Sequence, residues 1–157
     1  MTVNVDENEK KTYVMPSDSN LYLSEVLPTT NPLRITWAIL TDEEKLGFLQ
    51  SAMRRLEGLN FVGRKVSFWQ ELKFPRIAPG IPPNFEDAPR EVKRAQVVWA
   101  ANIAREELYV KRRNTEACIA IGILQAPTLP LVSDSTANTP KLVEELLHRW
   151  ITQWRRL

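Results

Sequence analysis

Between Leu46 and Leu56 the apolar residues fall at Leu46, Leu49, Met53 and Leu56, with Phe48 and Ala52 beside them. Spacing by threes and fours is the signature of one buried helix face. Its start is written in Thr41–Asp42–Glu43–Glu44, a capping-box pattern in which the hydroxyl accepts from the amide three residues on and Glu44 reaches back. Arg54 and Arg55 suit the negative end of the helix dipole, and Gly58 can close it. A longer pattern runs over residues 90–112. Val92, Ala95, Trp99 and Ile103 line one stripe, and Val98, Ala101 and Leu108 widen it. So broad an apolar arc predicts a central helix packed on two sides, with Pro89 in its first turn and Asp87 or Ala88 as its cap. Shorter helices are expected over residues 17–27, capped from Ser17–Asp18–Ser19, and over 33–40, where Ile35, Trp37 and Ile39 also read as alternation. Thr139–Pro140 opens a last helix whose apolar face carries Leu142, Val143, Leu146, Leu147, Trp150, Ile151 and Trp154.

The interruptions matter as much. Pro75, Pro79, Pro82, Pro83 and Pro89 crowd one stretch with Gly80 among them, so no helix crosses it. Residues 70–89 nevertheless carry Phe74, Ile77, Ile81 and Phe85, which call for burial. The stretch is therefore expected to be an ordered extended strap, pinned by Phe74 and Ile81, with Gln70 and Arg76 hydrogen-bonded to fix its path. In Ala117–Cys118–Ile119–Ala120–Ile121–Gly122–Ile123–Leu124, strand and buried helix compete, and the extended reading is favoured over about 116–124. The predicted class is all-α: a small helical bundle with a Pro-rich strap, a short β segment and a C-terminal helix. Its predicted divisions are an extended arm over 1–16, a helical domain over 17–131, and a linker with a docking helix over 132–157.

Composition adds constraints. The chain has 157 residues, enough for one domain with a real core. Its net charge of +2 does not announce a nucleic-acid binder, but the charge is uneven: −3 over residues 1–33, +3 over 59–79 and +2 over 139–157. Cys118 is the single cysteine, which excludes an internal disulfide, and it sits in an apolar run like a small hydrophobe. The polar N-terminus is unlike a signal peptide, and no apolar run reaches the length of a membrane span. An intracellular or particle-associated protein is expected. His148 is the lone histidine, and Asp42, Glu43 and Glu44 are explained by capping. No P-loop or dinucleotide fingerprint occurs. The chain offers no catalytic, metal-binding or cofactor-binding set, and an enzyme is not expected. Five tryptophans are many for this length. Trp37 and Trp99 fit a core. Trp150 and Trp154, one turn apart beside Arg149 and Arg155, suit a helix that docks on its own domain or on a neighbouring subunit.

One ordered set of motifs resembles a known family. Arg54–Arg55–Leu56, Phe61–Val62–Gly63–Arg64, Gln70–Glu71–Leu72–Lys73–Phe74–Pro75–Arg76, Ile81–Pro82 and Val92–Lys93–Arg94–Ala95 follow one another as in tailed-bacteriophage head–tail connector (head completion) proteins. Relatives of these are often labelled DnaT-like single-stranded DNA-binding proteins. The resemblance marks Gly63, Arg64, Gln70, Leu72, Phe74, Pro75, Arg76, Ile81 and Pro82 as motif residues. It implies a helical adaptor in a homo-oligomeric ring of about a dozen copies. That ring would lie in the virion neck, after assembly in the host cytoplasm, between the portal and the tail or neck proteins. Packaged double-stranded DNA would pass through it in transient, non-specific contact. On that reading Arg64, Lys65 and Lys73 face the DNA channel, and Leu147, Trp150, Ile151, Trp154 and Arg155 dock on a partner. The alternative carried by the label is a single-stranded DNA-binding replication accessory protein, in which tryptophans and arginines stack on bases.

Overall fold

The computed structural model describes residues 12–85, 87–121 and 139–151, with 115–121 as backbone alone. Among the described residues, five helices and one two-stranded antiparallel ladder follow in the order α1 (Pro16–Val26), α2 (Pro32–Ala38), α3 (Asp42–Glu57), β1 (Arg64–Lys65), β2 (Arg76–Ile77), α4 (Arg90–Ile121) and α5 (Lys141–Leu147). The protein is mostly helical, as its apolar periodicity predicts. α4 is the hub, and α1, α2, α3 and α5 all pack on it. Val92, Ala95, Val97, Val98, Ala100, Ala101 and Ala104 of α4 are buried. Alanines and valines predominate there, which lets four neighbours pack close, while Gln96 and Trp99 are the long side chains buried among them.

The local signals for α3 act as written. Thr41 Oγ1 accepts from the Glu44 amide, and the Glu44 carboxylate accepts from the Thr41 amide at 2.9 Å. The Thr41 amide and then the Thr41 hydroxyl, which both donate to the Glu44 carboxylate, hold that carboxyl below its ordinary range. α1 begins earlier than its serines suggest. Pro16 takes the first turn, Met15 is the cap residue, and Ser19 is buried, with its hydroxyl donating to Pro16 O and accepting from Trp37 Nε1 at 3.0 Å. Asn31 caps α2 by accepting from the Leu33 amide. Trp37 and Trp99 lie in the core.

Three expectations are corrected. Residues 116–121 are helical, continuing α4 to Ile121, while 122–124 lie outside the described residues. No breaker stands between Asn114 and Gly122, and extending an existing helix needs no new nucleus, so β-branched Ile119 and Ile121 do not stop it. The C-terminal helix is short. It ends at Leu147, turns through residues 148–150, and leaves Ile151 bridged to Phe61. Finally, of the extended arm expected over 1–16, residues 1–11 lie outside the described residues and 12–14 are packed on the body: Val14 is 2% exposed, and Gln96, fully buried in α4, accepts from the Tyr13 amide and donates to Thr12 Oγ1 and Leu49 O.

α1 is fastened to α4 by charge as well as packing. Glu25 pairs with Arg90 and, at 2.8 Å, with Arg94. Hydrogen bonds from these two guanidiniums lower the Glu25 pKa from 4.5 to about 2. A depressed carboxylate pKa contributes stability that is present above the unfolded value and lost as pH falls through the folded one. Unfolding experiments should therefore show stability falling between pH 4.5 and about 2. Glu25→Gln should flatten that part of the profile, and an unchanged profile would mean the pair contributes nothing.

Candidate nucleic-acid interface

The strap and the turn before it form a hairpin standing on the end of the bundle. β1 and β2 pair in the register Arg64↔Ile77 and Lys65↔Arg76. Gly63 makes the entry, with φ +76 and a backbone approach so close that a Cβ would sit 2.0 Å from Ile77 O. Only glycine suits both demands. The Phe74–Pro75 peptide bond is cis.

Two motif side chains tie the hairpin together. Arg76 donates to four carbonyls: Nε to Val62 (3.0 Å), Nη1 to Lys73 (3.3 Å), and Nη2 to Phe61 (3.3 Å) and Gly63 (2.6 Å). Burial lowers its pKa, while Glu57 and Tyr13 oppose that shift. Gln70 closes the loop above, its Nε2 donating to Leu72 O and Pro75 O at 2.9 Å and its Oε1 accepting from the Ser67 amide. Both residues donate to carbonyls along the hairpin, and Pro75 O also accepts from the Val66 amide, so a short, irregular hairpin has its backbone oxygens paired.

Phe74 seats the hairpin on the body. It is 3% exposed, with Phe61, Trp150 and Tyr13 edge-to-face around it at centroid distances of 4.8, 5.0 and 5.9 Å. Its amide donates to Tyr13 Oη, which in turn donates to Glu57 Oε1 at 2.6 Å. Burial, then the Glu57 carboxylate, push the Tyr13 hydroxyl well above its ordinary pKa, so it stays a donor. Val62 N donates to Trp150 O at 2.8 Å, so the segment after α5 completes the seat.

The tip carries the chemistry. Phe68 and Trp69 are each 89% exposed and, among the described residues, stack only on each other, edge-to-face at 5.4 Å. Bonds from the Trp69 amide to Ser67 Oγ, and from Lys65 Nζ to Gln70 O, shape the loop that presents them. Arg64 and Lys65 are exposed at its base. A preformed pair of aromatic rings beside cations can stack on unpaired bases and attract their phosphates, at little ordering cost.

The predicted site residues divide accordingly. Gly63, Gln70, Phe74 and Arg76 shape and seat the hairpin, with Leu72 and Pro75 half-buried in it. Ile81 packs partly on the core, whereas Pro82 is exposed. Phe85, expected inside, is 57% exposed, because the chain runs over the surface through Pro82, Pro83 and Asn84. Lys73 is not a free cation. Its ammonium donates to Leu59 O at 2.7 Å and sits over the Phe61 ring. Leu147, Trp150 and Ile151 are buried against this chain's own body and offer no partner surface, while Trp154 and Arg155 lie outside the described residues. The exposed pair, Phe68 and Trp69, is absent from the site residues read from sequence. Its one signal is that two large adjacent aromatics belong to no periodic pattern.

The family model described as "Putative DnaT-like ssDNA binding protein" matches residues 12–125, from the first described residue through the end of α4. The chain belongs to this family. The match to this DnaT-like family takes in the hairpin and four of the five helices, and leaves α5 outside. No curated protein and no solved structure matches the chain.

Proposed function

We propose that this protein binds single-stranded DNA without catalysis, through the Phe68–Trp69 tip of its hairpin with Arg64 and Lys65 on the flanking phosphates. The observation that carries the reading is an aromatic pair left almost fully bare on a loop that the rest of the hairpin holds in place. The family's description supports it. Trp69 is the most exposed tryptophan among the described residues, so stacking on it should quench fluorescence as oligonucleotide is added. Trp69→Ala should weaken binding by about tenfold, in line with ~1–3 kcal/mol per stacked base. With two phosphate-contacting cations, the affinity should fall with salt at a log–log slope of about −1.4. Absence of quenching at low salt, or a Trp69→Ala variant that binds as tightly as the parent, would dispose of this reading.

The second reading is a structural subunit of a phage neck, a ring between portal and tail that DNA traverses. It is favoured by what the resembling motif does: Gly63, Gln70, Phe74 and Arg76 build and seat a hairpin whose tip is exposed. A bare aromatic tip can enter a neighbouring protein as readily as a DNA strand. Electron microscopy of the protein mixed with its portal is the test. A monomer that never joins the portal under any condition would sink this alternative.

A further inference from the structure

α4 carries a second surface toward the other end of the bundle. α3 runs antiparallel to α4: Leu49 accepts from Gln96, while Glu44, near the start of α3, lies in the field of Lys111. The hairpin is tied to Glu57, the last residue of α3, through the Lys73 amide. The α4 segment after Asn102 therefore lies toward the opposite end of α3, a helix of 16 residues and about 24 Å. There a cleft of about 480 Å³ opens between α4 and Thr36 of α2. Arg105, Leu108, Tyr109 and Arg112 line it, with Asn102 above them.

Arg105, Tyr109 and Arg112 are spaced four and three apart, which places them on one helix face. Tyr109 is 62% exposed, and half-buried Leu108 gives the cleft an apolar wall. Guanidiniums grip phosphate oxygens through paired N–H donors, and a tyrosine face accepts a base. Glu106, the carboxylate in the lining, opposes an anion and keeps the contact weak.

We propose that this cleft is a second contact for the same single strand, with Arg105 and Arg112 on its phosphates and Tyr109 stacked on a base. The proposal rests on the hairpin reading and extends it to a strand running alongside α4 from one end of the bundle toward the other. The test uses the full chain and two oligothymidylates, one that covers only the hairpin tip and one long enough to reach the cleft. The double variant Arg105→Ala with Tyr109→Ala should bind the short strand like the parent and the long one about tenfold more weakly. The long strand's salt slope should become shallower by about 0.7. Glu106→Gln should tighten the long strand about threefold, the opposite sign from a folding defect.

Equal affinity and salt slope for the long strand in the parent and the double variant would overturn the cleft while leaving the hairpin standing. A parent that binds neither strand would overturn both. If the double variant alters only the sedimentation of the protein, the cleft is an interface between copies, and the proposal fails.

Discussion

Phe74→Ala should lower stability by about 3–5 kcal/mol in urea unfolding, with the chain still folding around α3 and α4. The ring is 3% exposed and fills the space among Tyr13, Phe61 and Trp150, three rings from three separate stretches of chain. Removing it leaves those rings facing a cavity, and each also loses an edge-to-face contact. The same site joins residues 12–14 and 148–151 to the hairpin, so amide exchange should accelerate in both segments. Phe74→Leu, which retains most of the volume, should cost clearly less. An alanine variant with unchanged stability would mean the hairpin is not seated through this ring.

Gly63→Ala should cost on the order of 3 kcal/mol and open the hairpin. Two penalties add there. The residue sits at φ +76, and the new Cβ would meet Ile77 O at 2.0 Å and Ala78 Cα at 2.8 Å, both backbone atoms. Gly80 is a built-in control. Its φ is +75, yet nothing lies within 4 Å of an added Cβ, so Gly80→Ala carries only the conformational cost of about 1–2 kcal/mol. The difference between the two variants measures the steric term. If both cost the same, the close approach of Gly63 to Ile77 is not what fixes the hairpin. Because Gly63 O is also the nearest acceptor of Arg76, the Gly63 variant should lose single-strand affinity too, whereas the Gly80 variant should keep it.

The division between these effects and those at Phe68 and Trp69 separates seating from contact. Phe74, Gly63 and Arg76 act on the position of the tip. The two rings are each 89% exposed and, among the described residues, make a ring contact only with each other, so their removal should leave the unfolding midpoint where it was.

The apolar spacing by itself determined the helical class, the span of α3 with its cap, and α4 as the hub, because helix faces and caps are local properties of neighbouring residues. The prolines and Gly80 likewise determined where no helix runs. Tertiary structure alone decided the rest. Whether 117–121 continue a helix depends on the nucleus already formed upstream. Whether Trp150 or Trp69 faces solvent depends on which ring Phe74 meets from a distant segment. Lys73 looks like its basic neighbours until Leu59 O and the Phe61 ring draw it onto the body. Exposure is a sum over contacts far apart in the chain, and a bare aromatic tip is visible only once every other partner has been placed.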